Sequence, residues 1–434
     1  MSSAGYEQLQ TDLHPPLSQH EARVESDRCY FCYDAPCVTA CPTGIDIPLF
    51  IRQISTGHAK GAAKTIFDEN IFGGMCARVC PTETLCQEVC VRQTAEDKPV
   101  RIGELQRYAT DALMTTGRQP YQRAATTGRK VAVVGAGPAG LSCAHRLAMR
   151  GHEVTVFDAK PKPGGLNEYG IAAYKSVDGF AQIETDYILS IGGISLKHQQ
   201  VLGKDVTLAQ LKEQYDAVFL GVGLGAVNTL GIEGDGLDGV RDAVEFIAEL
   251  RQSTDLPSIH QGRRVVVIGG GMTAIDAAVQ SKLLGAEEVT LVYRRGVERM
   301  NASSWEQDLA KHHGVQIRTG FQPLTIRGEG GKVSAVEFAY VEEDASGQLE
   351  ASGESLLLDC DRVLCAIGQQ FADESPGLGL VMDSARLKVD DNRQTSDAKI
   401  WAGGDCIAGG DDLTVAAVQD GKLAAESIHL ALSA

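Results

Sequence analysis

The chain has no excess of basic residues and no long apolar run, and each absence removes a class of function. Lys and Arg number 40 against 57 Asp and Glu, a formal charge of −17. Nonspecific nucleic-acid binding needs a basic footprint to neutralise phosphates, so no nucleic-acid partner is expected. No stretch of the sequence reaches the roughly 18 apolar residues that cross a bilayer. The opening MSSAGYEQLQTDLHPP has neither the basic nor the apolar region of a secretory signal. A cytoplasmic protein without a membrane partner is therefore the expectation. Low-complexity runs are absent too, and 434 residues with 43% hydrophobic content suffice for two or three domains with proper cores.

Cysteine, by contrast, is concentrated in one place. Eight of the 12 cysteines fall in two early runs, Cys29-x2-Cys32-x4-Cys37-x3-Cys41-Pro42 and Cys76-x3-Cys80-Pro81-x4-Cys86-x3-Cys90. A reducing cytosol disfavours disulfides and leaves metal or redox roles for such a segment. Cys-Pro closing a run is typical of ferredoxin clusters, although these spacings also suit tetrahedral zinc. Cys143, Cys360, Cys365 and Cys406 are scattered and read as buried hydrophobes.

Two glycine-rich loops follow, each between a short apolar strand and a helix. In the first, Gly135, Gly137 and Gly140 let the backbone approach a pyrophosphate at the helix N-terminus, and Asp158 ends the next strand, where it can accept from a ribose. Gly164 and Gly165 come soon after, and Gly403-Gly404-Asp405 precedes a helix expected from about Thr414. Together they fit a two-part FAD site, with Asp405 on the ribityl or pyrophosphate end and the Thr414 helix favouring the reduced flavin. The second loop carries Gly269, Gly271, Thr273 and, in the third glycine's place, Ala274. The strand after it ends in Arg294 and Arg295 instead of an acid. Guanidinium groups there can pair with a 2′-phosphate, so NADP(H) is expected ahead of NAD(H). Iron–sulfur ligands beside a flavin and a nicotinamide make an electron relay, which weighs against zinc. Hydride transfer itself needs no acid–base residue, and no catalytic side chain is expected.

The layout predicts an α/β chain: a helical two-[4Fe-4S] domain over 1–120, then two nested doubly wound, Rossmann-like domains. The FAD domain would take 121–255 and 365–434, with the NAD(P)H domain inserted at 256–364. Pro48 to Ala63 and Gly103 to Leu113 read as helices, Leu49, Phe50, Ile51 and Ile54 recurring at helical spacing. Thr115 to Lys130 reads as a linker.

RCYFCYDAPCVTACPTGIDI, CARVCPTETLC, VAVVGAGPAGLSCA and FLGVGLG resemble the N-terminal half of dihydropyrimidine dehydrogenase and its separate bacterial counterpart subunit. The glutamate synthase small subunit shares the architecture with less similar cysteine segments. The resemblance implies one [4Fe-4S] cluster on Cys29, Cys32, Cys37 and Cys90, and another on Cys41, Cys80, Cys86 and Gln106, with Cys76 a nonligand neighbour. It also implies a hetero-oligomer, because the chain lacks the FMN-binding barrel that reduces uracil or thymine, and an FMN-containing partner must supply it. One departure stands near the flavin: where the family often has Ile-Pro-x-Phe-Arg-Leu-Pro, this chain reads Tyr169-Gly170-Ile171-Ala172-Ala173-Tyr174-Lys175, keeping a positive charge at Lys175 without the guanidinium fork. A glutamate synthase-like or other ferredoxin-linked subunit, and a zinc-holding redox sensor, are the alternative readings.

Overall fold

A computed structural model describes residues 3–259, 262–344, 346–371 and 379–433. The chain divides into two compact units. One combines Met1–Leu13, Tyr169–Asp178 and Ala226–Gln370; the other combines His14–Glu168, Gly179–Gly225 and Phe371–Ala434.

The second of these holds the cysteines and the first glycine loop. Its parallel sheet runs, edge to edge, Ile400–Ala402, Ala217–Leu220, Lys130–Val134, Glu153–Phe157 and Ile194–Lys197. Val131 to Val134 are buried, as a strand covered on both faces requires. Helices Ile47–Ser55, Ala59–Glu69, Gly73–Val79 and Ile102–Met114 make the cysteine lobe. Its Phe50, Ile66, Met75 and Leu105 share one hydrophobic cluster with Val131, Val133 and Leu141 of the sheet layer. Fully buried Glu184 ties the two layers together, accepting from Gly74 N at 2.8 Å and Met75 N at 3.0 Å. Packing is thus continuous across residue 120, where the sequence suggested a domain boundary. The expected linker has no regular element, yet it is pinned. Tyr121 Oη donates to Asp68 at 2.8 Å, and Arg123 pairs with Glu153 at 2.6 Å.

The Pro48 to Ala63 stretch forms two helices instead of one, because the chain turns at Gly57 with φ of 83°. Phe50, Ile51 and Ile54 are buried there, whereas Leu49 is exposed.

The other unit repeats the plan with strands Val240–Asp242, Arg362–Cys365, Arg264–Ile268, Glu288–Tyr293 and Gln316–Thr319, all parallel. A three-stranded antiparallel sheet, Phe321–Glu329, Lys332–Glu343 and Leu349–Asp359, is spliced in before Arg362–Cys365. The sequence-drawn boundaries at 255/256 and 364/365 fall inside this unit. Val240–Asp242 pairs with Arg362–Cys365, and Ala226–Val227 pairs with Gln369–Gln370, so both flanks belong to it. Among the described residues no helix is long and apolar enough to cross a membrane.

Candidate functional site

Cys29, Cys32, Cys37 and Cys90 line one pocket, walled by apolar Ile47, Ile51, Val100 and Ile102. The tight turn between the first two thiols puts Phe31 at φ of 51°, in the left-handed region, and lets its N–H donate to Cys29 Sγ at 3.4 Å. Burial pushes Cys37 up to about 12, with the neighbouring thiols Cys29 and Cys90 adding. Burial raises Cys29 as well, and thiols raised in this way are inert unless a cation holds them deprotonated.

Cys41, Cys80 and Cys86 form a second neighbourhood. Burial raises Cys80 and Cys86 well above the usual thiol range, and each also feels Cys41. Cys76 is fully buried, and its thiol is pushed up by burial, with Glu184 and Cys41 adding. Gln106 is buried on the helix Ile102–Met114, and its Nε2 donates to Gly73 O at 2.7 Å. That bond leaves the amide oxygen as its ligating end. Among the described residues no three Cys, His, Asp or Glu side chains converge on one ion. A four-iron cluster asks for thiolates around a volume, not round a point. Cys29, Cys32, Cys37 and Cys90 around one pocket supply the four thiol donors such a cluster takes.

The first glycine loop is built as a phosphate cradle. Helix Pro138–Met149 begins at Gly137 with no side-chain cap, so its first N–H groups are left for a ligand. Gly140 must be glycine, since a Cβ would lie 1.9 Å from Gly135 O. Gly164 and Gly165 fold back onto the loop: Gly164 N donates to Ala136 O at 2.7 Å, and a Cβ on Gly165 would lie 2.8 Å from the Gly137 Cα. Asp158 sits against the same loop, accepting from Ala136 N at 2.6 Å and Lys160 N at 2.7 Å. Burial raises its pKa, and those amides oppose the shift.

The C-terminal part lies in the same unit. Helix Thr414–Ser433 starts where the sequence placed it, and Thr414 Oγ1 donates to Asn167 Oδ1 at 2.9 Å. Asn167 is buried, and its Nδ2 has no hydrogen-bond partner among the described residues. An orphaned donor there fits a flavin heteroatom as acceptor. Burial pushes Asp405 up to about 6, with Asp412 adding and Arg386 opposing. Asp420, absent from the sequence reading, shapes this turn by accepting from Gly404 N at 2.8 Å and from Arg393 Nε at 2.6 Å. Its only signal in the sequence was an acid in the first two turns of a helix that is mostly apolar around the short run Gln419 to Lys422.

In the other unit, helix Met272–Leu283 also starts without a side-chain cap, at Gly271. A Cβ on Gly271 would meet nothing within 4 Å, the open space a pyrophosphate needs, while one on Gly269 would lie 2.2 Å from Ala366 O. Thr273 lies half-buried in the first helical turn, and Ala274, fully buried, packs where a third glycine was expected. Arg294 is exposed after the strand Glu288–Tyr293; Arg295 is half-buried, 3.8 Å from Glu343. Arg299, overlooked in the sequence, pairs with the same carboxylate at 3.0 Å.

Lys175, which the resemblance associated with the flavin, belongs to the unit of the second glycine loop. It is buried in the nicotinamide-type unit, 2.8 Å from Asp276 and 2.7 Å from Glu306, with Tyr174 Oη donating to Asp276 at 3.0 Å. Burial lowers its pKa, but the two carboxylates more than reverse this and leave it raised.

Comparison with known proteins fits this geometry. Residues 129–421 match the family model described as pyridine nucleotide-disulphide oxidoreductase, and residues 7–118 match dihydropyrimidine dehydrogenase domain II, 4Fe-4S cluster. The second match favours clusters over zinc. The chain is 38% identical over 423 residues to the NAD-dependent dihydropyrimidine dehydrogenase subunit PreT of Escherichia coli O157:H7, covering 96% of each. It is 36% identical over 440 residues to the glutamate synthase [NADPH] small chain of Escherichia coli K12, covering 96% of this chain and 93% of the other. Among solved structures, the fold recurs in T. acidophilum thioredoxin reductase, with a TM-score of 0.55 at 22% identity over 70% of this chain and all (100%) of that one. Mycobacterium tuberculosis FprA in complex with NADPH gives a TM-score of 0.58 at 21% identity, over 70% of this chain and 85% of that one. These two show the fold. The chain belongs to the pyridine nucleotide-disulphide oxidoreductase family, and with its 4Fe-4S domain it is an NAD(P)H-dependent flavin and iron–sulfur oxidoreductase.

Proposed function

We propose that this chain is the electron-input subunit of a dihydropyrimidine dehydrogenase. Its substrate is NAD(P)H, and its acceptor is an FMN-containing partner that reduces uracil or thymine to the 5,6-dihydro base. The observation that carries the reading is near-full-length similarity to a dihydropyrimidine dehydrogenase subunit, joined to four thiols, Cys29, Cys32, Cys37 and Cys90, that line one pocket.

When bound, FAD accepts hydride from the nicotinamide, and the [4Fe-4S] clusters carry single electrons onward. The Gly135, Gly137 and Gly140 loop would hold the FAD pyrophosphate at an uncapped helix N-terminus, and Asp158 would accept from its ribose. Gly164, Gly165, Gly404, Asp405 and Thr414 would complete that site. Gly269, Gly271, Thr273 and Ala274 would hold the dinucleotide, with Arg294 and Arg295 facing its 2′ position. The two thiol groups would each hold one cluster, Gln106 completing the second. The buried apolar walls around the first would exclude water and tune its potential.

A glutamate synthase-like role is the second reading, favoured by the 36% identity to that small chain. Purified chain combined with an FMN-barrel subunit separates the two. NAD(P)H oxidation should begin on adding uracil or thymine. Oxidation that instead needs glutamine and 2-oxoglutarate with an amidotransferase subunit would overturn the pyrimidine assignment.

A further inference from the structure

The strand Lys332–Glu343 of the inserted antiparallel sheet ends beside the basic turn that follows Tyr293. Glu343 Oε1 lies 3.0 Å from Arg299 Nη2, and its Oε2 lies 3.8 Å from Arg295 Nε. The Arg299 backbone is itself fixed, because Tyr293 Oη donates to Arg299 O at 2.9 Å. The Glu343 side chain is only 20% exposed, against 59% for Arg299 and 35% for Arg295. The carboxylate is therefore the settled member of the group, and the guanidiniums extend from it towards solvent.

An exposed ion pair of this kind contributes little to folding. Its position relative to a nucleotide is what gives it a consequence. A 2′-phosphate arriving at these arginines finds their charge already partly neutralised and meets a carboxylate of its own sign. A dinucleotide with a free 2′-hydroxyl meets neither penalty, since Glu343 keeps the cations paired.

We propose that Glu343 is a specificity-determining residue of the nicotinamide site, standing in on Arg295 and Arg299 for the 2′-phosphate and so allowing NAD(H) to compete with NADP(H). The inference rests on the reading that the Gly269 loop holds the dinucleotide.

The test uses the full holo-chain and the ligand fragments 5′-ADP and 2′,5′-ADP, titrated by calorimetry against the parent, Glu343→Gln, and Glu343→Gln combined with Arg299→Ala. Charge repulsion near a protein surface is worth about one to a few kcal/mol, so Glu343→Gln should tighten 2′,5′-ADP about tenfold. Its 5′-ADP affinity should move less than about twofold, and Arg299→Ala should erase most of the gain. A thermal midpoint equal to the parent's verifies that the variant is folded. An equal gain for both fragments, or none for 2′,5′-ADP, would overturn the role of Glu343. If neither fragment binds the parent, the site reading falls first and the inference with it.

Discussion

Gly271→Ala should separate folding from nucleotide binding. At Gly271 φ is −99° and ψ is 178°, extended backbone that any residue adopts, and the added Cβ meets no atom within 4 Å. The protein alone therefore tolerates alanine, and a small gain of about 0.4–1 kcal/mol from the stiffer unfolded chain is expected. With ligand the balance reverses. A phosphate oxygen must come to about 2.9 Å from an amide nitrogen of the uncapped helix, and the new methyl occupies that approach. Overpacking of this size costs about 1–3 kcal/mol, or roughly 5- to 150-fold in affinity. Rapid-mixing titration with NADPH and NADH should show both dissociation constants rising by at least fivefold, while calorimetry finds the melting midpoint slightly above the parent's and FAD and iron contents stay at parent levels. The same change at Gly140 places a Cβ 1.9 Å from Gly135 O and should lose FAD and fold together. Unchanged NAD(P)H affinity in a well-folded Gly271→Ala would refute the cradle.

Three further outcomes follow from buried groups. Lys175→Met strands Asp276 and Glu306 without their cation and should lower the stability of that unit by about 3–5 kcal/mol at neutral pH; denaturant melts should show the deficit shrinking on acidification, and a constant deficit would refute the pairing. His145 is fully buried, and burial followed by Arg146 pulls its pKa down from the usual value to about 3. Its neutral form is favoured in the fold, so stability is complete above about pH 6.5 and falls at up to roughly 1.4 kcal/mol per pH unit as acid protonates the unfolded state first. His145→Gln should flatten that slope between pH 6 and 4, and parallel slopes would count against it. Gln106→Ala should change the EPR signal of only one cluster; an unchanged spectrum together with full iron content would remove Gln106 from the ligand set.

Much of this was legible because it is local. Apolar strands running into glycine turns, such as Val131 to Gly140 and Val265 to Gly271, advertise their geometry within a few residues. The helix at Thr414 announced itself by composition. What stayed hidden depends on residues distant in the chain. Lys175 meets Asp276 and Glu306 across about a hundred residues, and nothing in Tyr169 to Lys175 distinguishes a flavin neighbour from a buried cation. The three-stranded antiparallel sheet was missed for a similar reason: its strands matter through where they carry Glu343, a charge that reads as ordinary surface in sequence. The cysteine runs lie between these cases. Their number was plain, while their sorting into two groups needed Cys90 brought back beside Cys29.

The short segment Tyr169–Asp178 also bears on how such proteins can be recombined. It belongs to the nicotinamide-type unit although the chain on either side of it belongs to the other. A graft that transplants Ala226–Gln370 as a cassette leaves behind Lys175 and the Tyr174 hydroxyl, and imports two buried acids with no cation to face them. Exchange of coenzyme modules between relatives is therefore a three-segment operation, with Met1–Leu13 the third piece. A chimera that ignores the ten-residue piece should be rescued by replacing Asp276 and Glu306 with neutral residues of similar shape.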